Sequence, residues 1–139
     1  MEVALLEQQL VRTVDRGEIA AINVVLGDML LGYDTTTRRP VWVTVTGMVW
    51  AGSDTAYTVS SQGLQSTDFS GAAFLQTDQG AKAPSAAPNI IFSPCALNMR
   101  NLLRRVVTSV VQTTDAAYLT VQFTGANALI TGGYLLAAI

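Results

Sequence analysis

Alternation with a period of two runs through most of this chain. Val41, Val43 and Val45 alternate with Trp42, Thr44 and Thr46 until Gly47 interrupts the run. Successive side chains of a strand point to opposite faces, so this run predicts a strand with two usable faces. Ala56 to Ser61 repeats the pattern, with Tyr57 and Val59 on one side. Val106 to Val111 is rich in β-branched residues. Tyr118 to Thr124 alternates most regularly: Leu119, Val121 and Phe123 against Thr120, Gln122 and Thr124. Ala128-Leu129-Ile130 and Tyr134-Leu135-Leu136 flank Thr131-Gly132-Gly133, which is a hairpin pattern. Shorter strands are expected at Gln9 to Thr13, Glu18 to Ile22 and Met29 to Tyr33, with a turn over Asp34 to Arg39.

Two segments depart from this rhythm. Ser93-Pro94 combines an N-cap serine with proline at the first helical position, which predicts a short helix. Leu97, Met99 and Leu102 give it an apolar face, ending near Arg104. Before it, residues 80–92 read as a loop or linker, with Lys82 and the run Pro84-Ser85-Ala86-Ala87-Pro88. That stretch is the best candidate for a mobile or partner-bound segment. Many short strands with one short helix predict a compact all-β fold, and the length suits one domain over residues 1–139.

Composition changes the picture at the surface. Half the residues are apolar and only 13% are charged, about half the usual share of ~25%. A surface so poor in charge favours a subunit with much of its area against partner subunits, in a homo- or hetero-oligomer, over a bland soluble domain. The basic residues are seven arginines and Lys82; Arg38-Arg39 and Arg104-Arg105 form pairs rather than a stripe. Nothing there matches a face that neutralises several phosphates, so no nucleic-acid partner is expected. The carboxylates are scattered and form no metal-loop pattern, so no metal or cofactor is expected either. Cys95 is the sole cysteine, which excludes an internal disulfide. Residues Met1 to Glu7 lack the basic and apolar regions of a cleavable signal peptide. Ala116 to Ile139 carries no charge and is long enough to suggest a membrane helix. Its period-two alternation and its Gly-Gly turn instead predict strands, so no membrane span is expected.

The order and spacing of several segments resemble the hedgehog/intein (Hint) superfamily. Ile22-Asn23-Val24-Val25-Leu26-Gly27-Asp28-Met29-Leu30-Leu31-Gly32-Tyr33-Asp34 is similar to a family segment built around Gly-Asp. The valine strand from Val41 follows as it does there. Thr67-Asp68-Phe69-Ser70, leading into Phe74-Leu75, resembles the family's T-x-x-H block. Tyr118 to Val121 and Gly125 to Leu136 are similar to its final strands. The likeness touches the chain from about Leu10 to Leu136 and is weakest from Pro84 to Arg105. Each motif alone is unspecific, because turn chemistry explains a Gly-Asp pair; another small β domain stays open beside the Hint fold.

The resemblance implies a chemistry that this chain lacks the residues to perform. In the family, a first-position cysteine or serine attacks the preceding peptide carbonyl, the block histidine protonates the leaving nitrogen, and a terminal His-Asn pair completes release. The chain contains no histidine, the usual near-neutral acid or base. By the resemblance Ala4 (or its neighbour Leu5) stands near the nucleophile position, Ser70 at the block histidine, Thr67 at the supporting threonine, and Ala137-Ala138 at His-Asn. No catalytic residue is therefore assigned; these five positions are vestigial.

Other constellations have plainer readings. Cys95 follows Pro94 at a predicted helix start, where a thiol pKa is lowered, yet a small buried apolar residue explains it better. Asp28 and Asp34 are better turn caps than a carboxylate pair. Trp42 and Trp50 fit core or interface packing better than a ligand groove. The expected function is a non-catalytic structural or interaction module of a larger assembly such as a phage or virus particle, in the virion or the cytoplasm. An autoprocessing, protein-splicing domain inactivated by substitution is the alternative. A small-ligand β barrel lined by the tryptophans is a third reading.

Overall fold

A computed structural model describes residues 1–94 and 101–139. It contains twelve strands: β1 (Glu2–Leu6), β2 (Leu10–Thr13), β3 (Gly17–Ala20), β4 (Met29–Asp34), β5 (Arg39–Ser61), β6 (Thr67–Ser70), β7 (Leu75–Thr77), β8 (Gly80–Lys82), β9 (Ile90–Pro94), β10 (Leu102–Thr124), β11 (Ala128–Thr131) and β12 (Tyr134–Ala137). Short 3-10 turns at Ala21–Asn23 and Pro84–Ala86 complete the regular structure among the described residues. The all-β expectation holds.

All pairings are antiparallel, in the order β3-β2-β4-β11-β12-β7-β9-β10-β5-β6. A further pairing joins β4 to β5, so the sheet curls back on itself, and β1 lies against β10. Curling brings the inward faces together. Val3, Leu5, Leu30, Val43, Val59, Phe69 and Leu136 all pack into the main core. Tyr33, Ala128 and Leu135 form a second, smaller cluster. β12 is buried along its whole length, because it lies between β11 and β7 with a core cluster on each face.

The two long strands correct the sequence reading. Val41–Thr46 and Ala56–Ser61 were expected as separate strands, as were Val106–Val111 and Tyr118–Thr124. Each pair is one 23-residue strand, β5 or β10. Gly47 does not end its run; it stays in the ladder opposite Gln122. The interruptions are bulges. Tyr118 pairs with Gly52 and Leu119 with Trp50, which leaves Ala51 unmatched, and Gly52 takes φ +107. Such an extra residue bends a strand without ending it. Two bulged strands can therefore serve both the end of the sheet near β1 and the end near β6 and β9.

Two further expectations change. Ser93 and Pro94 do not start a helix; they end β9, opposite Leu103 and Leu102, and Arg104 continues β10 opposite Phe92. Pairing with Ile90–Phe92 supplies the backbone partners, and Pro94 at the end of the ladder costs no central hydrogen bond. Residues 95–100, with Cys95, Leu97 and Met99, lie outside the described residues. The 80–92 stretch is not a free linker: it holds β8, a 3-10 turn and the start of β9. Thr77 Oγ1 donates to Gly80 O at 2.7 Å, and Val107 N–H donates to Asn89 O at 2.8 Å.

The Gly-Asp turn before β4 has a local cause. Gly27 takes φ +87, which L side chains resist. The Asp28 carboxylate accepts the Val25 N–H at 2.9 Å and pairs with Arg16. Gly27 N–H donates to Val45 O and Val45 N–H to Asp28 O, which ties the turn to the valine strand. Asp34 likewise accepts the N–H groups of Thr36 and Thr37. Gly132 and Gly133, at φ +56 and +83, make the turn between β11 and β12. No helix among the described residues is long and apolar enough to cross a membrane.

Candidate functional site

The first and last strands meet at one cavity. Glu2 N–H donates to Ile139 O and Ile139 N–H donates to Glu2 O, both at 3.1 Å, a reciprocal antiparallel pair. On its other side β1 is held by β10, with Ala4 opposite Thr120 and Leu5 opposite Leu119. β12 is held in turn by Ala137 N–H, which donates to Phe74 O at 2.8 Å. Between these elements lies a cavity of about 220 Å³ lined by Glu2, Ala4, Ala72, Phe74, Tyr118, Thr120 and Ala137, among others.

The structure brings only some of the five sequence-derived positions together. Ala4 in β1 and Ala137 in β12 both line the cavity, and each is nearly buried. Ala138 is beside it, held by its N–H to Asn127 O at 2.9 Å and packed on the core. Ser70 is fully buried at the end of β6 and does not line the cavity. Its Oγ accepts the Ala72 N–H at 3.2 Å and its carbonyl accepts the Ala73 N–H at 3.0 Å, so it shapes the turn. Thr67 is at the opposite end of the four-residue β6, where it lines a different groove with Gly132. Three positions along a strand reverse the face and span roughly 10 Å, which keeps Thr67 and Ser70 apart.

Sequence reasoning missed Ala72. The turn formed by Gly71, Ala72 and Ala73 carries the chain from Ser70 to Phe74, and it is Ala72 that reaches the cavity. The available signal was the Phe74-Leu75 pair, which places the residues just before it, rather than Ser70, against β1 and β12.

The chemistry on the cavity wall is sparse. Among the described residues its side-chain hydroxyls belong to Tyr118 and Thr120, and its side-chain carboxylate to Glu2. The two phenols whose pKa values are raised, Tyr33 and Tyr134, are elsewhere. Burial raises both; Arg38 pulls Tyr33 back somewhat, and the hydrogen bond to Ser61 does so for Tyr134. Tyr134 OH bonds Val59 O at 3.2 Å and Ser61 Oγ at 3.0 Å, and its ring meets Phe69 edge-on at 5.1 Å. It is a core residue. No group of three or more metal-ligating side chains occurs among the described residues. Trp42 and Trp50 are 39% and 60% exposed on β5, so they line no enclosed pocket.

No protein-family model matches the chain, and no curated protein does either. Solved structures do. The chain is similar to the DnaB intein from Synechocystis sp. PCC 6803 at a TM-score of 0.83 and 11% identity, covering 100% of this chain and 99% of that one. It is similar to the bacterial intein-like domain from Clostridium thermocellum at a TM-score of 0.76 and 14% identity, with 99% of each chain covered. The DnaX mini intein from Spirulina platensis aligns at a TM-score of 0.73 and 18% identity, covering 96% and 98%. The overlap takes in both ends that meet at the cavity, and this chain therefore has the Hint-like fold of inteins.

Proposed function

We propose that this chain is a non-catalytic structural or interaction module built on a Hint-like fold. One observation carries the reading. The cavity where the first and last strands meet presents the methyl groups of Ala4, Ala72 and Ala137, and among the described residues neither cysteine nor serine lines it, while the chain has no histidine at all. Acyl transfer needs a nucleophile beside a base or acid of matched pKa. The tyrosine, threonine and glutamate on its wall include none of the cysteine–histidine or serine–histidine pairings that such a step uses. The vestigial positions are then Ala4, Thr67, Ser70, Ala137 and Ala138, with Ala72 in the place that contacts the cavity.

The same chain is proposed to work within a larger assembly, such as a phage or virus particle. Leu26, Trp50 and Val49 are each more than half exposed, and charge is scarce. Partners that cover such side chains gain about 25 cal/mol per Å² of apolar area. Sedimentation velocity of the isolated chain tests this reading: concentration-dependent association is expected, and a sharp monomer at every concentration overturns it.

A second reading has its own support. The fold and the paired ends suit an autoprocessing, protein-splicing domain equally well, here silenced by substitution. It separates from the first by gain of function. Installing Ala4→Cys, Ala72→His, Ala137→His and Ala138→Asn in a flanked precursor restores cleavage if the scaffold still positions these groups.

A further inference from the structure

One edge of the long strand β5 is covered at both ends and open between them. β10 pairs with the other edge from Thr44 to Ser61. On the edge facing away from β10, β4 pairs with Arg39–Thr44 and β6 with Ala56–Val59. The Gly27–Asp28 turn extends the cover to Val45, and Gly71 N–H, which donates to Thr55 O at 2.7 Å, extends it to Thr55. Among the described residues no strand pairs with this edge from Thr46 to Asp54. At ~3.3 Å per residue the gap spans roughly 25–30 Å.

Main-chain groups point into the gap. Phe123 N–H donates to Met1 O, away from β5. The ladder alternates from there, so Val121 and Leu119, opposite Val3 and Leu5, also turn their groups toward β1. Met48 and Trp50 lie opposite Val121 and Leu119 and therefore turn theirs into the gap. Val49 and Trp50 are 55% and 60% exposed, and no residue between Arg39 and Asp54 carries a charge. Natural open edges are commonly guarded by lysine, proline or an inward charge, and Thr46–Ser53 has none of these.

The flanks of the gap select its occupant. A second copy adding antiparallel, Val49 against Val49, would set Val43 of one copy opposite Thr55 of the other. β4 lies on that same edge, with Leu30 against Val43, so β4 of one copy would run through β5 of the other. Centring the pair on Ala51 instead sets Val45 opposite Tyr57, and β6, with Phe69 against Tyr57, collides in the same way. A single extended segment with nothing on its far edge meets neither obstacle. The recess thus keeps copies of the chain from joining edge to edge while leaving room for one slender strand. Its uncharged surroundings offer a charged side chain no counter-ion, and Val49 and Trp50 favour apolar and β-branched neighbours.

We propose that the Thr46–Asp54 edge of β5 takes up a short, uncharged, extended segment of a partner protein as an added strand, bonded through the main chain of Met48 and Trp50. The proposal deepens the interaction-module reading and rests on it. Association between copies of this chain then uses other exposed side chains, such as Leu26.

The test is amide hydrogen exchange of the ¹⁵N-labelled chain, alone and with a capped heptapeptide alternating threonine and valine, about the length of the gap. Alone, the Met48 and Trp50 amides are expected to exchange at least tenfold faster than those of Gly47 and Val49, which face β10. The peptide is expected to slow Met48 and Trp50 at least tenfold, in a saturable way. Lysine in place of each threonine should weaken binding roughly tenfold, and proline at the centre should abolish it. Trp50→Lys changes an exposed side chain, so the fold persists, and it should weaken the threonine–valine peptide roughly tenfold as read at Met48. Protection of Met48 and Trp50 in the free chain overturns the proposal, as does the absence of saturable slowing with the peptide. Equal binding of the proline peptide also overturns it. So does loss of self-association in Trp50→Lys by sedimentation velocity, which would put a second copy on this edge. A chain that stays monomeric at every concentration yet shows the peptide protection overturns the self-association reading alone.

Discussion

Replacing Tyr134 by phenylalanine isolates one polar contact in the middle of the core. The ring remains, and with it the edge-on contact to Phe69. What disappears is a hydroxyl bonded to Val59 O and Ser61 Oγ, with Tyr134 itself fully buried. Removing one partner leaves Ser61, itself buried, short of a hydrogen bond. Such an orphaned group costs about 1–3 kcal/mol. For a domain of this length each kcal/mol moves Tm by roughly 3–4 °C, so a fall of about 3–12 °C is expected. The pH dependence changes as well. Burial raises the folded-state pKa of Tyr134 above the ordinary value of 10.0. The folded chain therefore holds this proton more tightly than the unfolded chain. That contribution is fully present below pH 10 and is lost as pH climbs from there through the folded-state pKa. Thermal melts from pH 8 upward should show the wild type losing stability above about pH 10. Tyr134→Phe should lose less over that range, the remainder coming from Tyr33, whose pKa is raised in the same direction. A double-mutant cycle with Ser61→Ala should give a coupling of about 0.5–1.5 kcal/mol. An unchanged Tm together with an unchanged alkaline slope refutes the assignment of Tyr134 as a hydrogen-bonded core anchor.

Other substitutions probe how the strands are held. Gly32→Ala in β4 places a methyl group 2.6 Å from Val43 Cγ1 and 2.9 Å from the Ala128 carbonyl, so chemical denaturation should report a loss of about 1–3 kcal/mol. Asn127→Ala removes bonds to Thr35 N–H at 3.0 Å and Thr35 Oγ1 at 2.7 Å; stability should fall by about 1–2 kcal/mol and the Thr35 amide should exchange faster with solvent. Thr131→Val deletes the 2.8 Å bond from Thr131 Oγ1 to Leu10 O, which ties β2 to β11, and should cost about 1 kcal/mol in the same denaturation assay.

Much of the sheet was legible because its residues alternate. Val43 and Val45 face the core while Trp42 and Thr46 do not, as period two requires. The β11–β12 turn was legible because Gly132 and Gly133 suit positive φ. Strand length was not legible. A glycine in an alternating run suggests a break, yet Gly47 has a partner strand to supply its hydrogen bonds, and only tertiary context reveals that. The helix expectation at Ser93-Pro94 failed for the same reason: capping preferences are local, and the pairing of Leu102–Val106 with Ile90–Pro94 outweighs them. At the cavity, Ala4 and Ala137 were legible from order along the chain. Ala72 was not, because a turn offset by two residues moves which side chain reaches the cavity, and alanine carries no chemical signal to mark it.

We propose that the Hint-like fold here holds its two ends together around a site that performs no acyl transfer. The most direct measurement places the unaltered chain between two distinguishable reporter segments and follows the purified precursor on a denaturing gel, with and without added thiol. A single intact precursor is expected under both conditions. Appearance of a spliced product, or of either released reporter segment, contradicts it.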